Sequence, residues 1–240
     1  GFITVQANGE ASISAKLNAS STNDEGGKIN ITSSSKIVQS HGSLLNVSGQ
    51  TSGGSLKLSS KGFISSGDIE AKGYSLKGGF VDIEASSDIR LLSSNINASG
   101  STQGGLIRIG GAFQGGNNLI RTSEQEQLFV NRWGNIPEIT NAQKVLISDG
   151  SNIDISSSHG PGGTAIIWSD QETTMLGDIK ATGTVGGVVE VSSKDTLRHV
   201  GLSNINISEG GHLLLDPKNI TVGDAASSQN WIYRGLIGYD

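Results

Sequence analysis

Seven Gly-Gly pairs recur along the 240-residue chain, and each opens the same short segment. Measured between the second glycines, the steps are 24 to 27 residues, apart from one of 58 between Gly105 and Gly163. A constant period in the twenties is typical of repeat proteins, in which each repeat is one supersecondary unit. The pairs are Gly26-Gly27, Gly53-Gly54, Gly78-Gly79, Gly104-Gly105, Gly162-Gly163, Gly186-Gly187 and Gly210-Gly211.

The residues two and four places after each second glycine are apolar, and Gly1 opens an eighth copy of the pattern. The residue between them is polar in six of eight copies. This period-two alternation predicts a strand with one buried face. The predicted inward positions are Ile3, Val5, Ile29, Ile31, Leu56, Leu58, Val81, Ile83, Ile107, Ile109, Ala165, Ile167, Val189, Val191, Leu213 and Leu215.

A second apolar pair closes most repeats, as Leu45 and Val47 do, and a weaker apolar stretch lies between. Three short strands in each repeat predict an all-β fold, a right-handed parallel β-helix of about eight turns. The β-helix is expected over residues 1–222, with 223–240 as a terminal segment leading to a following domain. No helical periodicity of useful length is found. The sequence lacks the motif of a leucine-rich repeat, which excludes that fold. An antiparallel β-sandwich stays open as an alternative.

Composition narrows the class of protein. The chain has no cysteine, so it can form neither disulfides nor thiolate metal sites. Its net charge of −5 gives no basic field, which predicts that no nucleic acid is a partner. No apolar run approaches the 18 residues of a membrane span, so no direct membrane insertion is predicted.

The single long step marks an insertion at about residues 112–144, where the alternation stops. One interpretation is a surface insertion that projects from the solenoid and contributes little to its core. The other is a binding segment for a host-cell glycan or protein, because Trp and Arg are enriched at binding hot spots. On that second interpretation, the candidate binding residues are Arg121, Arg132 and Trp133.

Four sequence blocks are more specific than the repeat itself: GGTAIIWSD at 162–170, GDIKATG at 177–183, GGVVEVS at 186–192 and LLLDPKNI at 213–220. In this order they resemble the β-helix of large haemagglutinin-like exoproteins. This is the filamentous-haemagglutinin and high-molecular-weight-adhesin family of the two-partner secretion pathway. The resemblance covers most of residues 1–222.

The resemblance implies a secreted or outer-membrane surface protein of a Gram-negative bacterium. Its implied partner is an outer-membrane secretion transporter, acting through an N-terminal domain whose Asn-Pro-Asn-Gly motif is absent from this chain. The leading hypothesis is a structural, adhesive segment. The alternative is the stalk of a contact-dependent toxin, or a haemophore-type binding module that uses the insertion.

A carbohydrate-active β-helix enzyme is the weakest hypothesis. Such an enzyme needs clustered acids on the outer face, and the outward column here alternates in charge from Lys57 through Asp82 to Arg108. This column predicts a surface charge ladder, and Glu190 is a further outward acid. The four histidines occupy different repeat positions, so no metal site is expected. We therefore predict no enzyme, no catalytic residues and no cofactor.

Asn-x-Ser/Thr sequons recur in the last strand of the repeat, at Asn18, Asn46, Asn97 and Asn206. Asn30 and Asn219 also lie in sequons. In the high-molecular-weight adhesins such sequons can carry sugars, so the resemblance makes these four asparagines candidate glycosylation sites. The alternative is an asparagine-rich outer face in which sequons arise from composition alone.

Overall fold

Three parallel β-sheets run along the chain, and successive turns add one strand to each sheet. The structure is a computed structural model, which describes residues 1–116, 121–198 and 200–218. The strands are numbered β1 to β22 in chain order, and the sheets are called A, B and C. The predicted terminal segment, 223–240, lies outside the described residues.

Sheet A contains β1 (Phe2–Ala7), β4 (Lys28–Ser33), β7 (Ser55–Ser60), β10 (Phe80–Ala85), β13 (Leu106–Ile109), β16 (Thr164–Ile167), β19 (Val188–Val191) and β22 (His212–Leu214). Sheet B contains β2 (Ala11–Ile13), β5 (Lys36–Gln39), β8 (Gly62–Ser65), β11 (Asp88–Leu91), β14 (Lys144–Ile147), β17 (Glu172–Met175) and β20 (Thr196–Arg198). Sheet C contains β3 (Lys16–Asn18), β6 (Leu44–Asn46), β9 (Asp68–Glu70), β12 (Asn95–Asn97), β15 (Asn152–Asp154), β18 (Asp178–Ala181) and β21 (Ile205–Ile207).

The interior is one continuous apolar column enclosed by the three sheets. Twelve of the sixteen predicted inward positions are fully buried, and the four in the end turns, Ile3, Val5, Leu213 and Leu215, are partly buried against the same core. Equivalent residues stack in register, as Leu58 does between Ile31 and Ile83. The predicted all-β parallel β-helix of about eight turns is therefore confirmed.

The Gly-Gly pairs lie at the corner where sheet C leads into sheet A. A Cβ atom on Gly78 would overlap the carbonyl oxygen of Ala98, and one on Gly79 would overlap that of Gly54. The backbones of adjacent turns approach too closely at this corner for any side chain. This close approach explains why the pair recurs in each repeat.

One α-helix occurs among the described residues, α1 (Ser123–Trp133), inside the insertion. Thr122 caps it by accepting a hydrogen bond from the Gln125 backbone, and the Gln125 side chain accepts one from the Thr122 backbone. The helix ends at Gly134, which has a φ of 68°. Hydrophobic periodicity gave no indication of this short helix, although the Thr-x-x-Gln capping box was a signal for it. The helix is too short and too polar to cross a membrane, as is every described helical segment.

Candidate functional site

The outer face of sheet A changes character along the solenoid. In the early turns it is polar, with Thr4, Asn30 and Lys57 in one column. In the later turns the outward residues are largely apolar and buried. The later strands of sheet A are therefore buried on both faces. The outer face of a solenoid without a cover would be exposed to solvent. The apolar outward residues are Leu106, Ile166, Trp168 and Leu214.

The insertion provides the cover. We call residues 112–116 and 121–143 the strap. The Phe113 and Phe129 rings of the strap stack with centroids 5.3 Å apart, and both pack into a second apolar cluster on the outer face of sheet A. The expectation that the insertion projects from the solenoid is therefore wrong, although these rings pack into the second cluster and not into the solenoid's own interior. Apolar groups of the strap and of the sheet leave water together, which stabilises the contact.

Two of the predicted binding residues attach the end of α1 to the Gly-Gly corner. Arg132 Nη1 donates to the Gly162 carbonyl at 2.7 Å, and Nη2 donates to the Gly186 carbonyl at 3.3 Å. Burial lowers the pKa of the Arg132 guanidinium. Trp133 Nε1 donates to Thr164 Oγ1 at 2.9 Å. Both side chains therefore already have partners within the protein.

Arg121, the third predicted binding residue, lies inside the strap. Its Nη2 atom donates to the Phe113 carbonyl at 2.5 Å, and its guanidinium lies 5.3 Å from the Phe113 ring centroid. Nη1 contacts the Glu126 carboxylate at 3.3 Å. Arg121, Arg132 and Trp133 thus hold the strap in place. Ligand binding by these three residues stays a prediction.

Arg108 and Asp82 form a bidentate ion pair with both distances at 2.7 Å. Arg108 also donates to the Pro137 carbonyl of the strap at 2.7 Å. The charge ladder is consequently not a simple surface feature, because the strap covers Arg108. Lys57 pairs with Glu84 at 3.0 Å instead of with Asp82.

Glu190, predicted to be an outward surface acid, does point outward but is fully buried beneath the strap. Both carboxyl oxygens accept from the Gln114 backbone N–H, at 3.2 and 3.0 Å. The pKa of Glu190 is raised to about 8, mainly by burial, and the charge of Asp216 in the next turn acts in the same direction. Hydrogen bonds from Gln114 and Ser192 and the charge of Arg121 act in the opposite direction. Glu190 is therefore largely protonated at neutral pH.

Sequence reasoning missed this interface, although the alternation contained a signal for it. Positions 165–168 are apolar without a break, and so are 213–215. A strand that is apolar on both faces is buried on both faces. The two exceptions in the outward column, Ile166 and Leu214, therefore marked the floor under the strap.

The sequons coincide with a local turn at the end of sheet C. The side-chain oxygens of Asn18, Asn46 and Asn97 accept from the backbone N–H two residues later, at 3.1, 2.9 and 2.9 Å. Asp154 makes the same bond to Ser156 at 2.8 Å without being part of a sequon. The pattern therefore has a structural role, since such side chains close turns.

Asn206 lies at the equivalent sheet C position and is exposed, as is Asn18. Asn30 lies on the outer face of β4, and Asn219 is outside the described residues. Glycosylation of the candidate asparagines stays a prediction.

Within the described residues, no three histidine or acidic side chains gather in a way that could hold a metal ion. The class of protein that the geometry defines is a parallel β-helix with an apolar strap over one sheet. No family model matches the chain, and no curated protein matches it.

Proposed function

We propose that this chain is a structural, adhesive segment of a large bacterial exoprotein, secreted or displayed at the outer membrane. Its export would use an outer-membrane transporter of the two-partner secretion pathway. The sequence blocks at 162–220 that resemble haemagglutinin-like exoproteins motivate the choice of family. The segment would hold binding regions away from the cell surface.

The observation that carries this proposal is the uninterrupted stack of turns. Each sheet extends by parallel pairing between consecutive turns, and the apolar column continues through all of them. In such a solenoid each turn is stabilised mainly by its neighbours, so folding can propagate from one turn to the next. A chain that emerges from a membrane pore in extended form can fold in this way.

The strap supports a scaffold function more than a haemophore-type module. The side chains that were candidates for ligand contact are engaged with the Gly-Gly corner and with Thr164. A well-packed strap stiffens the later turns, which suits a segment that keeps other domains at a distance.

The test is localisation in the producing bacterium. Intact cells labelled with an antibody against residues 1–218 should stain, and external protease should remove the stain. Deletion of the gene for the cognate outer-membrane transporter should abolish labelling of intact cells while antigen persists in lysates. Antigen found only after lysis of wild-type cells would refute the proposal.

A further inference from the structure

A groove of about 320 Å³ runs along the corner between sheet C and the Gly-Gly pairs, and none of its lining residues belongs to the strap. It crosses four consecutive turns. Its floor is backbone and serine, and its most prominent side chains are Lys72, Tyr74 and Lys180. The chain segments of the floor are hydrogen-bonded to one another, with Gly73 donating to Ser99 and Gly100 to Ser156. The groove is therefore formed before any ligand arrives.

The serine hydroxyls of the groove present acceptor oxygens. Ser99 donates its hydroxyl proton to the Asn97 side chain at 2.7 Å, and Ser156 donates to Asp154 at 2.6 Å. Ser157 donates to the Ser101 carbonyl at 2.8 Å and accepts from the Gly160 N–H at 3.1 Å, which leaves it one free acceptor site. A serine hydroxyl has one donor and two acceptor sites. With the protons directed into the protein, lone pairs are left for donors on a ligand.

Donors and an apolar wall complete the groove. The Lys180 ammonium is exposed and makes no hydrogen bond or ion pair with any residue in the described part of the chain. Tyr74 is 60% exposed, and the other residues that line the groove are polar or glycine. An exposed tyrosine offers a flat apolar face together with one polar group, a combination that suits ligands with both characters.

Charges in and beside the groove are balanced. Lys72 pairs with Glu70 at 2.9 Å, and Asp154 lies next to Lys180 in the neighbouring strand of sheet C. A groove for a polyanion would carry excess positive charge. Alternating acceptors and donors beside an aromatic face instead fit a molecule rich in hydroxyl groups that also has apolar C–H faces.

We propose that this corner groove binds a neutral saccharide, with Tyr74 against a sugar face and Lys180 donating to sugar hydroxyls. The proposal rests on the adhesive function above and assigns the ligand contact to this groove and not to the strap. A saccharide chain lying along the solenoid would meet serine hydroxyls in the two middle turns of the groove and a lysine at either end, Lys72 and Lys180.

The test is saturation-transfer NMR on the whole chain with a panel of neutral tetrasaccharides of glucose, galactose, mannose and N-acetylglucosamine. A heparin tetrasaccharide is the acidic comparison. At least one neutral probe should bind, and Tyr74→Ala and Lys180→Ala should each weaken it about fivefold. Phe2→Ala, which removes another exposed aromatic ring that does not line the groove, should leave binding unchanged. Each variant should keep the parent circular dichroism spectrum.

Binding of the heparin probe alone, binding unaffected by Tyr74→Ala, or no binding across the neutral panel would each overturn the proposal. The surface-labelling experiment is independent of these outcomes. A displayed chain that binds no saccharide would refute the groove while leaving the scaffold function standing.

Discussion

The early turns and the later turns of this solenoid have the same interior and different exteriors. Both have the stacked apolar column inside. Outside, sheet A meets solvent at Asn30 and Lys57, whereas at Ile166 and Glu190 it lies beneath the strap. The repeat therefore requires apolar residues on the inner face of every turn. The residues of the outer face differ according to whether solvent or the strap lies over them.

Register-equivalent residues show what the cover changes. Lys57 and Arg108 occupy the same column on either side of Asp82. The Lys57 side chain is 45% exposed and that of Arg108 is 4% exposed. A surface ion pair contributes little to stability, whereas removing one partner of a buried pair is costly. The same position thus has different energetic weight in the two regions.

The largest effect is expected where the two regions do not differ, in the inner column. Leu58→Asp places a carboxylate without a partner in the apolar interior and should unfold the early turns. Thermal unfolding followed by circular dichroism should show a large loss of β signal or a drop in Tm of tens of degrees. Asn30→Asp, on the outer face and opposite Lys57 in the neighbouring strand, is the matched control and should change Tm only slightly. Equal Tm values for Leu58→Asp and the parent would mean that the inner face is misassigned.

The next prediction separates the regions. Replacing residues 113–143 with a Gly-Ser linker should expose the apolar floor and remove Phe113 and Phe129, each of which contributes about 3–5 kcal/mol when buried in a core. Hydrogen exchange should become fast in β16, β19 and β22 and stay slow in β4 and β7. If the variant kept the parent's hydrogen-exchange protection in every strand, the strap would contact the sheet without stabilising it.

Much of the fold could be predicted because it depends on local periodicity. The Gly-Gly pairs and the alternation specify the strands, their inward residues and their order of stacking. Leu45 and Ile69 stack one above the other because equivalent residues one period apart must meet in a solenoid. No long-range information is needed for this step.

The strap could not be placed in the same way, because it contacts residues far away in sequence and follows no period. The contact between Gln114 and Glu190 spans 76 residues. The outward position of Glu190 predicts an exposed side chain. It is buried only because the strap lies over it. The chemistry of Arg132 and Trp133 predicts a role in binding, but their partners, the Gly162 carbonyl and Thr164, are distant contacts that no local pattern specifies.

The third prediction is a pH effect confined to the strapped region. Between pH 4.5 and about 8 the folded chain keeps a proton on Glu190 that an unfolded chain releases, because the folded pKa is about 8 and the ordinary value is 4.5. The contribution of Glu190 to the stability of the strapped turns should therefore be complete below pH 4.5 and be lost as pH rises to about 8. Over the whole window the change is on the order of 5 kcal/mol.

Urea unfolding at pH 5 to 9, followed by the fluorescence of Trp133 and Trp168, measures this dependence. Glu190→Gln keeps the size and an acceptor for the Gln114 N–H but does not titrate in this range. Its unfolding midpoint should vary much less with pH than that of the parent. If parent and variant show the same pH profile, Glu190 is not the group responsible.

The smallest effects are expected for the two register-equivalent cations, Arg108 and Lys57. Arg108→Ala removes the bidentate bonds to Asp82 and the bond to the Pro137 carbonyl, and it should cost about 2–3 kcal/mol because the pair is largely buried. Lys57→Ala removes an exposed contact to Glu84 and should cost about 0.5 kcal/mol or less. Raising the salt concentration to about 1 M, where screening acts within about 3 Å, should erase the Lys57 effect and leave most of the Arg108 effect. Equal costs for the two variants would mean that the strap does not shield Arg108 from water, since burial by the strap is the main difference between the two positions.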